Sequence, residues 1–144
     1  RQADVEAGVN AMLNYGYTVL RAGVARAVTT AGLHPSVGLH HSNRNNPMCL
    51  VDDLMEPFRP IVDYTVSRLQ SAGTTDVSPE TKAVLAEVLT FDMATEQGTT
   101  PVSTCAERLT YSLAQSFEAR KPTLILPRTL LPLELPNISR QFDC

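Results

Sequence analysis

The feature that most constrains this chain is its opening, where apolar side chains return along one helical face for nearly thirty residues. Val5, Val9, Met12, Leu13, Leu20, Val24 and Ala27 recur at helical spacing. They predict a single long helix over residues 4–31, with Asp4 as its N-cap. Gly32, followed by Pro35, supplies the stop. Gly16 and Gly23 stand seven positions apart on one face. Each lowers helix propensity by about 1 kcal/mol, so their expected role is to admit a neighbouring helix at close range, namely the segment 48–70.

That segment is the second helical stretch. Its stripe is Leu50, Val51, Leu54, Met55, Phe58, Ile61, Val62 and Leu69, interrupted by Pro57 and Pro60. Each proline removes an N–H and clashes with the preceding turn, so a kink or a new helix start is expected there. Residues 71–77 read as a turn. Ser78-Pro79 pairs an N-cap with proline at the first helical position and opens a third helix to residue 91. Residues 97–100 read as a loop. Pro101 opens a fourth helix on Val102, Cys105, Ala106, Leu109, Leu113 and Phe117, ended by Lys121-Pro122. From Thr123 onward Pro127, Pro132 and Pro136 exclude a regular helix. The expected fold is therefore all-α, a single domain over residues 1–144, with an extended Pro/Leu-rich tail strapped across the bundle.

Composition narrows the functional classes. Of 144 residues, 43% are apolar and 19% charged, which is ordinary for a globular domain. Trp is absent and aromatics are few, so the core must be aliphatic. No apolar run is long enough to cross a bilayer, and residues 1–6 do not resemble a signal peptide. The chain opens on Arg1 rather than Met, which fits a piece of a longer protein. Cys49, Cys105 and Cys144 form no CxxC pair, which argues against a zinc cluster. Their odd number fits a reducing cytoplasm. Cys49 and Cys105 fall in apolar stripes and read as buried small hydrophobes.

The formal charge is −3, whereas stand-alone nucleic-acid binders are more often basic. Residues 1–47 carry four arginines against two acids, residues 48–100 nine acids against three bases, and residues 101–144 five bases against four acids. The acidic middle has two readings: a solvated face, or carboxylates gathered around a metal.

The segment that decides between them carries Gly38-Leu39-His40-His41, then Asp52-Asp53-Leu54-Met55-Glu56-Pro57-Phe58-Arg59-Pro60. On a helix Asp53 and Glu56 are three apart and Asp52 and Glu56 four apart, spacings that share a face. Three acids in five residues repel one another unless Arg59 or a cation offsets them. An imidazole with carboxylates suits Mn²⁺ or Mg²⁺, and such ions promote attack at phosphate. By residue type alone the same acids also read as caps and dipole partners, and the histidines as surface residues. Pro57 cannot donate to the carbonyl of Asp53, which weakens the helix beside the acids.

At these residues the chain resembles the CRISPR-associated integrases and endonucleases of the Cas1 family, most closely in its type II-like wording. The likeness runs through Asn10-Ala11-Met12-Leu13-Asn14-Tyr15-Gly16-Tyr17, Ala31-Gly32-Leu33-His34-Pro35, Gly38-Leu39-His40-His41 and Asp53-Leu54-Met55-Glu56-Pro57-Phe58-Arg59-Pro60, with Leu126-Pro127-Arg128 in the tail. It implies the helical C-terminal domain of a protein whose N-terminal β domain precedes it. It implies a divalent metal, Mg²⁺ or Mn²⁺, held by His41 and Glu56, with Asp53 close by. His41 and Glu56 are then the catalytic residues. The family's first metal-binding Glu falls in a segment expected before Arg1. Glu6 does not fit that motif, so the fragment alone is expected to be inactive.

The resemblance further implies 3′-hydroxyl transesterification at a phosphodiester during spacer acquisition, with protospacer and repeat DNA as partners. A homodimer of the full-length protein, bridged by a small CRISPR adaptation protein, and no membrane association complete the expectation. Arg21, Arg26, Arg44 and Arg59 are candidates for phosphate contacts, or else for surface ion pairs. The rivals are a non-catalytic helical interaction domain and an unrelated metal phosphohydrolase. An HD-type enzyme needs a contiguous His-Asp pair, and an HNH nuclease needs a further histidine after His41; both are lacking.

Overall fold

The computed structural model describes residues 1–36, 45–129 and 131–135. Its axis is α1 (Gln2–Thr30), against which the other helices pack. The helix starts two residues ahead of Asp4, which lies in the first turn instead of capping it. The stop forms as its residues predict. Gly32 takes a left-handed conformation (φ +76°), its N–H donates to Thr29 O, and the Leu33 N–H donates to Val28 O. These two bonds satisfy carbonyls that the helix end would otherwise leave open.

The second stretch is broken where the prolines stand. α2 (Cys49–Met55) passes into a 3₁₀ turn, Glu56–Phe58, and then into α3 (Arg59–Ser71). Pro57 leaves the Asp53 carbonyl without its usual donor, and the Glu56 N–H takes it instead. α4 (Pro79–Ala86) begins at Ser78, whose side chain accepts from the Thr81 N–H while Thr81 accepts from the Ser78 N–H. It ends five residues sooner than the sequence indicates, in a 3₁₀ turn, Val88–Thr90.

A short antiparallel ribbon follows, β1 (Asp92–Thr95) and β2 (Gly98–Pro101), with Asp92 opposite Pro101 and Thr95 opposite Gly98. The sequence reading places a loop at 97–100. The strands are four residues each, too short for an alternating pattern to declare itself. The domain is nonetheless overwhelmingly helical.

α5 (Val102–Ala119) buries Val102, Cys105, Ala106, Leu109 and Leu113 as expected, whereas Phe117 is 54% exposed. Arg120 turns the chain in a left-handed conformation (φ +51°). The tail then runs back as the expected strap. Ser116 Oγ accepts from the Thr123 N–H at 2.9 Å and Ser112 Oγ from the Ile125 N–H at 3.0 Å. Further on, Arg128 N–H donates to Ala94 O and Leu133 N–H to Asp92 O, both at 2.8 Å, which moors the strap to β1.

The core is aliphatic apart from Phe58 and Phe91, and its fully buried members include Met12, Leu20, Ile61, Val62, Leu69, Leu85 and Leu109. Cys49 and Cys105 are buried within it; Cys144 lies outside the described residues. A Cβ on Gly16 would lie 2.5 Å from Val62 of α3, the close approach expected of that glycine. Gly23 departs from expectation: it faces Leu89 in the turn after α4, not the 48–70 segment. Among the described residues no helix is long and apolar enough to cross a membrane.

Candidate functional site

Every fourth residue or so on one side of α1 is polar: Asn14, Tyr17, Thr18 and Arg21. This side faces the α2–α3 bend. Together with Asn46, Asp52, Met55, Glu56 and Arg59 it lines an open groove of about 530 Å³. That volume lies within the range of small-molecule and cofactor sites.

The three clustered acids separate into different environments. Asp52 is held by a guanidinium fork, with Arg21 Nε on Oδ1 at 2.9 Å and Nη2 on Oδ2 at 3.3 Å. Asn46 Nδ2 adds a third donor to Oδ2 at 2.8 Å. Asp53 is buried and does not line the groove. Glu56 projects from the 3₁₀ turn with about half of its side chain exposed, Oε1 3.2 Å from Arg59 Nε. That N–H makes no hydrogen bond to the oxygen, so the contact is a bare ion pair.

Arg59 also stacks over Tyr17, 5.1 Å from the ring centroid. The Tyr17 hydroxyl donates to Asp63 on α3. Burial, and then the hydrogen bond and charge of Asp63, push the Tyr17 hydroxyl up to about 12, with Arg59 opposing. Tyr17 is therefore a neutral donor throughout the physiological range.

Of the residues expected at the site, Arg21, Glu56 and Arg59 converge on the groove. Arg26 is exposed and lines no part of it. His41 and Arg44 lie outside the described residues. Sequence reasoning about chemistry passed over Tyr17, Asn46, Asp52 as an arginine partner, and Asp63. The available signal was the polar face of α1, four positions within one stretch of otherwise apolar helix.

The donor set has the right chemistry for a hard divalent ion, since carboxylate oxygens suit Mg²⁺ and Mn²⁺. It is incomplete in number: among the described residues no three His, Cys, Asp or Glu side chains come close enough together to hold a metal.

Comparison with known proteins places this geometry in context. Residues 5–89, more than half of the chain, match the family model for CRISPR associated protein Cas1. The chain belongs to the Cas1 family. A CRISPR-associated endonuclease Cas1 of Neisseria meningitidis serogroup C is 34% identical over 94% of this chain and 44% of its own length. A Cas1 endonuclease of Archaeoglobus fulgidus is 50% identical over 44% of this chain and 19% of its own. Among solved structures, a casposase bound to integration product superposes with a TM-score of 0.68 at 27% identity, covering 81% of this chain and 37% of that one. The chain thus spans less than half the length of these relatives.

Proposed function

We propose that this chain is the helical, metal-binding domain of a DNA integrase and endonuclease of CRISPR adaptation, acting within a longer protein. The observation that carries the proposal is the state of Glu56. Of the three clustered acids it alone lines the groove without an arginine fork on it, and among the described residues its ion-pair partner is a half-exposed, unaligned Arg59. Family membership and the likeness to a casposase bound to its integration product support the same reading.

In this reading His41 and Glu56 would hold Mg²⁺ or Mn²⁺, with Asp53, buried three residues before Glu56 and off the groove, in a supporting place, and further donors would come from outside the chain. Such an ion, if bound there, would supply polarisation of the phosphoryl oxygen and a lowered pKa for the attacking hydroxyl. The chemistry is a transesterification. The 3′-oxygen of the incoming DNA bonds to phosphorus, the bond from phosphorus to the leaving oxygen breaks, and the proton passes by way of solvent to the leaving oxygen. Arg59 at the groove, with Arg26 and Arg44, contacts backbone phosphates. The same family likeness argues for protospacer and repeat DNA as substrates. It also argues for a homodimer bridged by a small adaptation protein, and for action in the cytoplasm.

The test is Glu56→Ala in the intact protein, assayed for joining of 3′-hydroxyl-ended DNA in Mn²⁺. The expected result is loss of joining with the helical circular-dichroism spectrum kept. Joining at the wild-type rate would overturn the assignment.

A further inference from the structure

We propose that Arg21 and Asp52 form a positioning pair that fixes the turn carrying Glu56, and that Arg21 serves the reaction through Asp52 instead of through DNA phosphate. The inference rests on the reading of Glu56 as a catalytic ligand.

Three observations carry it. First, the Arg21 fork engages both oxygens of Asp52, a geometry that restricts rotation as well as neutralising charge. Second, Asp52 is a junction. Asn46 donates to the same carboxylate and accepts from the Met48 N–H at 2.9 Å, so α1, the run into α2 and α2 itself meet at one side chain. Third, Asp52 and Glu56 are four residues apart across the end of α2, and both line the groove. Pro57 has weakened the helix at this bend, so the direction of Glu56 needs support from outside its own turn. Tyr17, four residues before Arg21, supplies the second brace by bonding Asp63 beyond the bend. Glu56 stands between the two.

Pairing Asp52 also has an electrostatic consequence. An unpaired carboxylate one turn from Glu56 would compete for the cation and draw it away from the reacting phosphate. The fork removes that competitor.

The experiment is a double-mutant cycle in the intact protein with Arg21→Gln, Asp52→Asn and the combination. The readouts are the joining rate at saturating DNA, DNA affinity, Mn²⁺ binding by calorimetry without DNA, and thermal melting, with Glu56→Ala as control. Each single variant is expected to lower the rate about ten- to a hundred-fold, with DNA affinity held within about three-fold. The double variant is expected to be no worse than the poorer single. Arg21→Gln keeps or strengthens Mn²⁺ binding, because it frees a carboxylate, whereas Glu56→Ala weakens it. If either single variant unfolds, Arg21→Lys keeps the charge without the fork, and a joining rate below wild type with unchanged DNA affinity is expected; a wild-type rate overturns the proposal. Losses that multiply in the double variant, or an Arg21 effect confined to DNA affinity and its salt dependence, overturn the proposal. Wild-type joining by Arg21→Gln and Asp52→Asn while Glu56→Ala is dead also overturns it and leaves the site reading intact. Wild-type joining by Glu56→Ala defeats the site reading itself.

Discussion

The hydroxyl of Tyr17 donates its hydrogen bond to the carboxylate of Asp63, tying the middle of α1 to the second turn of α3. The two residues are 46 positions apart, so the bond exists only in the folded chain. Burial first, then this bond and the charge of Asp63, push the hydroxyl up to about 12 from its ordinary 10.0.

The folded state binds the Tyr17 proton more tightly than the unfolded state. The stabilisation is therefore complete below pH 10 and is lost as pH rises through 10 toward 12. Each pH unit between the two states corresponds to about 1.4 kcal/mol. Tyr17 is only partly buried, so solvent screening brings the net effect to about 1 kcal/mol. Urea melts at pH 9 and pH 11.5 should show a smaller alkaline loss for Tyr17→Phe than for wild type. Equal losses in the two proteins mean that the contact carries no linkage.

Close packing gives a second prediction. A Cβ on Gly8 would fall 1.8 Å from the carbonyl oxygen of Thr75, and backbone cannot step aside cheaply. A Cβ on Gly23 would meet only the end of the Leu89 side chain, at 2.4 Å. Alanine at either site gains about 1 kcal/mol of helix propensity. At Gly8 the clash wins, and Gly8→Ala should lose about 1–3 kcal/mol. At Gly23 a rotamer change in Leu89 relieves the contact, and Gly23→Ala should stay within about 1 kcal/mol of wild type. Thermal melts of the two variants order them, and a Gly8→Ala protein as stable as Gly23→Ala contradicts this packing.

Sequence made the scaffold legible where local chemistry decides it. Gly32 with Pro35 stopped α1, Ser78-Pro79 started α4, and Pro57 with Pro60 broke the second stretch, because each acts on its own few residues. The ribbon at Asp92–Thr95 and Gly98–Pro101 was not legible, since it depends on pairing and on the strap that bonds to Asp92 and Ala94. The site was half legible. Asp52 and Asp53 flank the apolar stripe of α2 on opposite sides, and nothing in their own helix says which flank another element covers. Packing buries Asp53 and gives Asp52 to Arg21. Likewise Gly16 met the expected neighbour and Gly23 did not, because a glycine announces close approach without naming the partner.

That division of the acids yields the last prediction. Asp53 is 9% exposed, whereas the side chains of Glu56 and Arg59 are 52% and 41% exposed. A half-exposed ion pair with a misdirected N–H contributes at most about 0.5 kcal/mol, and Arg59 keeps its stacking on Tyr17 when Glu56 is removed. Glu56→Ala should therefore melt within about 2 °C of wild type. Asp53→Ala empties a buried position, which costs about 1–3 kcal/mol. For a domain of this size that lowers the melting temperature by several degrees. Melting both variants in chelator, so that no cation contributes, isolates the scaffold effect from any metal. A stable Asp53→Ala and an unstable Glu56→Ala would reverse the assignment, making Glu56 the structural carboxylate and Asp53 the spare one.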